Sequence, residues 1–441
     1  MSLSTGKIVE VIFENAVETY EHQMQLLDMV AVFKPPAATL QNTSFRTNGR
    51  DGAAATNTVW RPVQQHAPIV EGFDLSGFTE DQLAIIEQYY PASLEAPKND
   101  IFEQGVENLR DMVFWERRGK QSGLRQATFL NQRLAQLVTN EGSIYYESPS
   151  QGYSFVSEAY TILSERQTYM GDGCYFHMND RTYQLLGADL AGRGTLSGRP
   201  EEAYKTGMIG REVAGFSGVF RSSYLSSLTG GATPDTTVTG DQSFVPEGVD
   251  TTTGTAINVD YRIAEVPVAD SSLYNVGDKI EFINGADPVQ SIALADKTLT
   301  GQPMTFTIKA IPTATSLVVS PKPIALDDPA LTAPQAAYAN VNTQILNGAL
   351  VRRLNLNTSP VKTNIFWCKE ALEVLGGEAP VQLLSEFGGM KVVSKTMSNG
   401  QTMYMAYDGN INTLNFTCRL FTWWGITMVN PSAAGVAIST A

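Results

Sequence analysis

Cysteine and histidine are both scarce, with three of each in 441 residues. Cys174, Cys368 and Cys418 are odd in number and far apart, which argues against a disulfide framework or a CxxC metal site and for small buried thiols. His22, His66 and His177 fit neither HExxH nor zinc-finger spacing, so neither a metal nor a cofactor is expected. Apolar runs stay below the ~18 residues a membrane helix needs. The opening MSLSTGKIVEVIFENAVETYEH shows no charged segment followed by an apolar one. The expectation is a chain made and folded in a cytoplasm, with no membrane partner.

Charge is also thin, at 17% of residues against the ~25% of an average soluble protein. Much of the surface is therefore uncharged, as befits a chain covered by neighbours. The net charge of -14 excludes a sequence-reading grip on nucleic acid, because phosphate binding needs clustered lysine and arginine. The same negative sign suits a container that holds DNA without adhering to it.

Some patterns come close to catalytic motifs. Gly215-Phe216-Ser217-Gly218 is one residue off a nucleophile elbow, and Gly192, Gly194 and Gly198 miss a dinucleotide fingerprint by one position. Near misses of this kind arise by chance among 37 glycines. Trp423 and Trp424 lie in an apolar run and read as core.

What the sequence does contain is a series of distinct textures. Residues 7 to 33 repeat Val9, Phe13, Ala16, Val17, Tyr20, Met24 and Leu27 at helical spacing. From Pro35 to about residue 98 the chain turns to Gly, Pro, Asn and Thr with short extended runs, which predicts a long projecting hairpin. Asn99-Asp100 is placed to cap a second helix through Val138, bent or interrupted at Gly119, Ser122 and Gly123. Further helices are expected over 155 to 168, 180 to 191 and 200 to 206. Residues 222 to 344 hold short alternating runs between Gly, Pro and Asp turns, which predicts a small β-barrel or sandwich. That segment has 13 acidic and 5 basic residues, carrying −8 of the net charge. Beyond it, 364 to 367 reads as a strand, 369 to 375 as a helix, and 390 to 430 as strands with an Asn399-Gly400 turn. The Pro-punctuated stretch 325 to 345 reads as the return hinge of an inserted domain.

The order of these parts resembles the major coat proteins of short-tailed phages of the Salmonella phage P22 type, which share the tailed-phage capsid (Hong Kong 97-like) fold. The resemblance rests on Lys34-Pro35-Pro36-Ala37-Ala38, Asn57-Thr58-Val59-Trp60, Leu109-Arg110-Asp111, Pro200-Glu201-Glu202-Ala203-Tyr204 and Val213-Ala214-Gly215-Phe216. Its strongest block runs from Ser320-Pro321-Lys322-Pro323 to Ala337-Tyr338-Ala339-Asn340-Val341-Asn342-Thr343. Phe45 to Gly52 and much of 229 to 256 depart from the family pattern.

The resemblance implies an α+β fold with an N-terminal arm (1–34), an extended loop (35–98), a peripheral domain with a spine helix (99–170 and 400–441), an axial domain (171–221 and 345–399) and an inserted β-barrel (222–344). It implies a structural protein, not an enzyme, that closes pentamers and hexamers of itself into an icosahedral virion capsid. That shell would assemble in the host bacterial cytoplasm with a separate scaffolding protein, carry a portal ring at one vertex, and enclose double-stranded DNA without reading its sequence. A tail-tube or portal subunit is the alternative. Because the arm begins almost at once, the scaffold is expected in trans.

Three residue groups are candidate contacts. Glu10, Glu14 and Glu18 form an acidic ladder, either an ordinary solvated face or a dock for a basic scaffold segment. Arg46, Arg50 and Arg61 on the extended loop are candidates to pair with an acidic spine of a neighbour, or else are solvated. Asp241, Glu247, Asp250 and Asp260 flank a loop of the insert, either as acidic turns or as inter-capsomer contacts. Some relatives cross-link their loop through a lysine. Residues 35 to 97 contain none, so a non-covalent shell is expected.

Overall fold

The computed structural model describes residues 5–33, 58–63, 86–105, 111–167, 173–192, 211–231, 236–246, 259–377, 379, 381, 385, 391–410 and 415–440, without the single positions 25, 87, 357, 358 and 399. Most of the expected projecting hairpin and the helix expected over 200 to 206 lie outside the described residues. The chain divides into two compact units, one of Met1–Val59, Ala92–Leu134 and Glu373–Thr427, the other of Trp60–Pro91, Ala135–Leu372 and Met428–Ala441.

In the first unit the N-terminal helix spans Thr5–Gln23 and buries Ile8, Val9, Ile12, Phe13, Ala16, Val17 and Tyr20. It ends ten residues short of the expected 33. Met24 and Leu27 are buried as helical spacing predicts, with Leu26 and Val30 beside them, but Leu27 opens a 3-10 turn, Leu27–Met29, that leads into the strand Ala31–Phe33. That strand runs parallel to Glu373–Leu375. The helix expected over 369 to 375 is instead a turn, Lys369–Ala371, followed by the strand Leu372–Gly376, buried at every position. A fully buried strand is a plain apolar run, and its period cannot be told from a buried helix.

The expected helix start at Asn99-Asp100 is also a strand, Lys98–Gly105. Asp100 is buried and Phe102 half-buried, whereas Asn99, Ile101 and Glu103 are exposed, a period of two. Ile101 is 60% exposed, and this outward isoleucine made the pattern look helical. The strand edges an antiparallel sheet in the order Lys391–Thr396, Thr402–Asn410, Asn415–Thr422, Lys98–Gly105. Gly400, at φ 84°, supplies the left-handed turn residue between the first two strands.

The long helix is Met112–Glu141. Its cap is Asp111, whose Oδ1 accepts the N–H groups of Val113 at 3.0 Å and Phe114 at 3.2 Å. It runs without interruption through Gly119 and Gly123. A Cβ on Gly119 would stand 2.4 Å from the carbonyl oxygen of Ile12, and one on Gly123 would stand 2.2 Å from that of Ala16. The glycines therefore let the two helices cross closely; they do not kink the long one. Trp115 packs on Phe416 and Phe102 of the sheet. Asp100 clips sheet to helix by accepting from Ser122, from Arg118 at 3.2 Å and from Arg125 at 3.3 Å.

The second unit holds a mixed sheet in the order Ile144–Ser148, Ala434–Ser439, Asn364–Cys368, Cys174–Met178, Phe216–Arg221, Arg211–Val213. The helix Tyr153–Arg166 covers it through Phe155 on Phe176 and Tyr160 on Phe216, and a further helix spans Asp180–Gly192. Cys174 and Cys368 stand opposite each other in the antiparallel register and are bonded through sulfur. This corrects the expectation of three thiols: 194 residues separate the pair in sequence, and only the strand pairing makes them neighbours. Cys418 is a free buried thiol.

The same unit contains a barrel of strands Thr236–Thr237, Leu350–Arg353, Lys279–Asn284, Phe306–Ala310, Ser316–Ser320 and Ala264–Pro267 in that spatial order. The Val238–Val268 bridge, with Thr239 N–H on Pro267 O and Ala269 N–H on Thr237 O at 2.9 Å, joins the last strand to the first and closes it. Val266, Ile280, Phe282, Phe306, Ile308, Leu317, Val319 and Val351 fill its interior. The strand Leu350–Arg353 lies past residue 344 yet belongs to this barrel. Arg353 and Asp278, 2% and 1% exposed, form a buried ion pair at 2.7 Å, with Asn355 donating to the same aspartate at 3.0 Å.

Candidate functional site

The described residues present candidate contact surfaces in each unit. On the N-terminal helix, burial of the apolar stripe turns Glu10, Glu14 and Glu18 outward, all exposed and one turn apart. Glu18 meets His22 at 4.0 Å, both well exposed. Glu10 and Glu14 engage no other described residue, whereas Glu21, off the ladder, accepts the Ser398 N–H at 3.0 Å. Three like charges at four-residue spacing repel mildly, by a few tenths of a kcal/mol per pair. The arrangement presents a line of negative charge on a helix anchored by its opposite face.

Arg46 and Arg50 lie outside the described residues; Arg61 is half-buried and donates from Nε to the Tyr90 hydroxyl at 3.2 Å. The acidic spine expected as their partner is not what the long helix offers. Its charged residues are Glu116 and Glu141 against Arg117, Arg118, Lys120, Arg125 and Arg133, so it is net basic. Arg133 and Lys98 already share Glu95, at 3.2 and 2.6 Å.

In the second unit Asp241 is exposed and accepts the Asn347 N–H at 2.8 Å across the mouth of the barrel. Asp260 is held by Arg262, whose Nε and Nη2 reach its two oxygens at 2.7 and 2.6 Å. Glu247 and Asp250 lie outside the described residues. The two described aspartates therefore make local contacts within their own subunit.

Sequence reasoning missed the apolar surface of the insert. Leu273 and Val276, in the loop before Lys279–Asn284, are 62% and 64% exposed, and Leu299 on the strand Leu299–Pro303 is 62% exposed. No local signal marks them, since an apolar residue between turn formers reads as part of the core until the fold shows which way it faces.

A buried histidine is also accounted for. His177 stacks between Trp367 at 4.5 Å and Phe220 at 5.4 Å, and burial pushes its pKa down to about 3. It is a neutral ring in an aromatic stack within the mixed sheet.

The family model for P22 coat protein, gene protein 5, matches residues 1–439. Among solved structures the chain is similar to the capsid of cyanophage P-SCSP1u, at 8% identity over 93% of this chain and 86% of that one, with a TM-score of 0.42. It is similar to the mature capsid of bacteriophage PhiM1 at 9% identity over 93% and 86%, with a TM-score of 0.37. The CUS-3 coat protein I-domain matches at 29% identity over 28% of this chain and 99% of that domain, with a TM-score of 0.22.

Proposed function

Since the chain belongs to the P22 coat protein family, we propose that it closes pentamers and hexamers of itself into an icosahedral phage shell, guided by a separate scaffolding protein. The observation that carries this is the family match along residues 1–439. The role is structural and not catalytic. The shell forms in the host cytoplasm, receives a portal ring at one vertex and encloses double-stranded DNA. The chain's net charge of -14 supports containment without adhesion.

The division of labour follows the parts laid out above: arm 1–34, extended loop 35–98, peripheral and axial domains, and barrel 222–344 with the strand Leu350–Arg353 added to it. Glu10, Glu14 and Glu18 dock a basic scaffold segment. Arg46, Arg50 and Arg61 contact a neighbouring subunit at acidic groups other than the long helix, which is itself basic. Asp241, Glu247, Asp250 and Asp260 belong to the insert's contact region toward the next capsomer. The exposed Leu273, Val276 and Leu299 add apolar area to be covered on assembly. Many such weak contacts sum to a durable shell while each stays reversible enough for error correction. Electron microscopy of the purified chain tests the reading, because closed shells, tubes and single rings differ in shape.

A further inference from the structure

Cys174 and Cys368 face each other across the two central strands of the mixed sheet. One step along the ladder the Lys369 N–H donates to Gly173 O at 3.1 Å. The cysteines therefore occupy a non-hydrogen-bonded pair, the position at which facing residues of an antiparallel ladder come closest, and their Cα atoms are 4.0 Å apart. Trp367 opposite Tyr175, Phe366 opposite Phe176 and Ile365 opposite His177 hold that register. The two sulfurs stay within reach of each other whether or not a bond joins them.

The bond closes a ring of chain, 194 residues in sequence separation, that contains every strand of the barrel from Thr236–Thr237 to Leu350–Arg353. Asn364–Cys368 is the strand by which the chain re-enters the mixed sheet after the barrel. With the bond in place, opening of the barrel cannot release that strand from its neighbour; without it, only ladder hydrogen bonds and packing hold the two together. A long ring is also where a cross-link removes most entropy from the unfolded chain. Cys174 and Cys368 are 4% and 3% exposed, which shuts out a bulky thiol or disulfide reagent. Cys368 nevertheless lines a cavity of about 280 Å³, far above the ~15 Å³ that admits a water-sized molecule.

We infer, on the reading that shells assemble in the host cytoplasm, that this pair is a staged covalent staple: two thiols while the chain folds and assembles, and a disulfide once the released particle meets dioxygen. Glutathione and thioredoxin keep thiols reduced in a cytosol. On oxidation two S–H bonds break, one S–S bond forms, and two electrons and two protons pass to dioxygen as hydrogen peroxide. The strand register already fixes the geometry, so the step needs no backbone movement. Assembly thus proceeds with subunits that can still open and correct themselves, and the released subunit is locked. Cys418, buried in the other unit, stays a thiol in both states.

Counting thiols by mass on the full-length chain tests this. Cells expressing it are dissolved directly in denaturant containing N-ethylmaleimide, and particles purified in air are denatured in the same reagent without reductant. The expected count is three adducts per chain from cells and one, on Cys418, from particles. Three adducts from particles would overturn the staple, one adduct from cells would overturn its staging, and loss of the Cys418 adduct would overturn the pairing. Should no closed particles form, the purified subunits are counted in the same way, so failure of the shell and failure of the staple are read separately. Handled in air instead of under nitrogen, wild type is expected to gain about 5 °C in thermal midpoint and Cys368→Ala nothing. Each protein is compared with itself, which cancels the cost of the substitution. Equal gains, or no gain in wild type, would overturn the lock; should Cys368→Ala fail to fold, the adduct counts on wild type decide.

Discussion

Lys279 donates its ammonium to the carbonyl oxygen of Gly142 at 2.6 Å, tying the barrel strand Lys279–Asn284 to the residue that follows the long helix. The side chain is fully buried and also donates to Thr307 Oγ1 at 2.9 Å, whose own hydroxyl donates to the same carbonyl at 2.9 Å. Burial pulls its pKa down to about 7, opposed by Glu141 and Asp278 and assisted by Lys309, the charged groups that face it. A neutral amine still has a hydrogen for each acceptor, so the tether survives loss of the charge.

The folded pKa lies below the ~10.4 of an unfolded lysine, so between pH 7 and about 10 the unfolded chain binds the extra proton and stability rises with pH. Below pH 7 both states are protonated and the contribution is flat at its lowest. Thermal midpoints taken across pH 6 to 10 are expected to climb in wild type and to lose that slope in Lys279→Met. An unchanged slope would assign it to other groups.

Gly123 and Gly187 make a matched pair of opposite sign. Alanine favours a helix interior by roughly 1 kcal/mol over glycine, yet a Cβ on Gly123 would meet a backbone oxygen at 2.2 Å while one on Gly187 would meet nothing within 4 Å. Gly123→Ala is expected to lose about 1–3 kcal/mol by overpacking, and Gly187→Ala to gain about 0.5–1 kcal/mol. Denaturant midpoints of the two variants against wild type check both, and a stabilised Gly123→Ala would mean the helices do not cross there.

Charge reversal at Glu14 tests the scaffold dock. Glu14→Lys leaves the buried face of the helix untouched, so the subunit should fold and assemble while procapsids co-expressed with scaffold retain several-fold less of it. Wild-type scaffold content, read by densitometry of purified procapsids, would remove the ladder from the interface.

With no lysine between residues 35 and 97, mature particles boiled in SDS under reducing conditions should run as a single band at the 47.9 kDa of the monomer. A resistant ladder of oligomers would show a covalent shell.

How much of this was legible in the sequence depended on whether a local pattern had one meaning. The insert's strands at Lys279–Asn284 and Phe306–Ala310 alternate between clear turn signals, and the helices Tyr153–Arg166 and Asp180–Gly192 have unmistakable apolar faces. Lys98–Gly105 was misread because Ile101 faces outward, and Leu372–Gly376 because a strand buried on both sides has no period to read. Gly119 and Gly123 are glycines for a reason that lies in another helix, and Cys174 meets Cys368 only through strand register. At the surface, the Glu10, Glu14 and Glu18 ladder was legible because a single helix creates it.

The central claim is that this chain builds closed shells, and negative-stain electron microscopy of the full-length protein, expressed alone and together with a candidate scaffolding protein, tests it most directly. The account predicts closed particles in both preparations, more uniform in size when scaffold is present. Monodisperse subunits under both conditions, or open tubes and single rings, would contradict it.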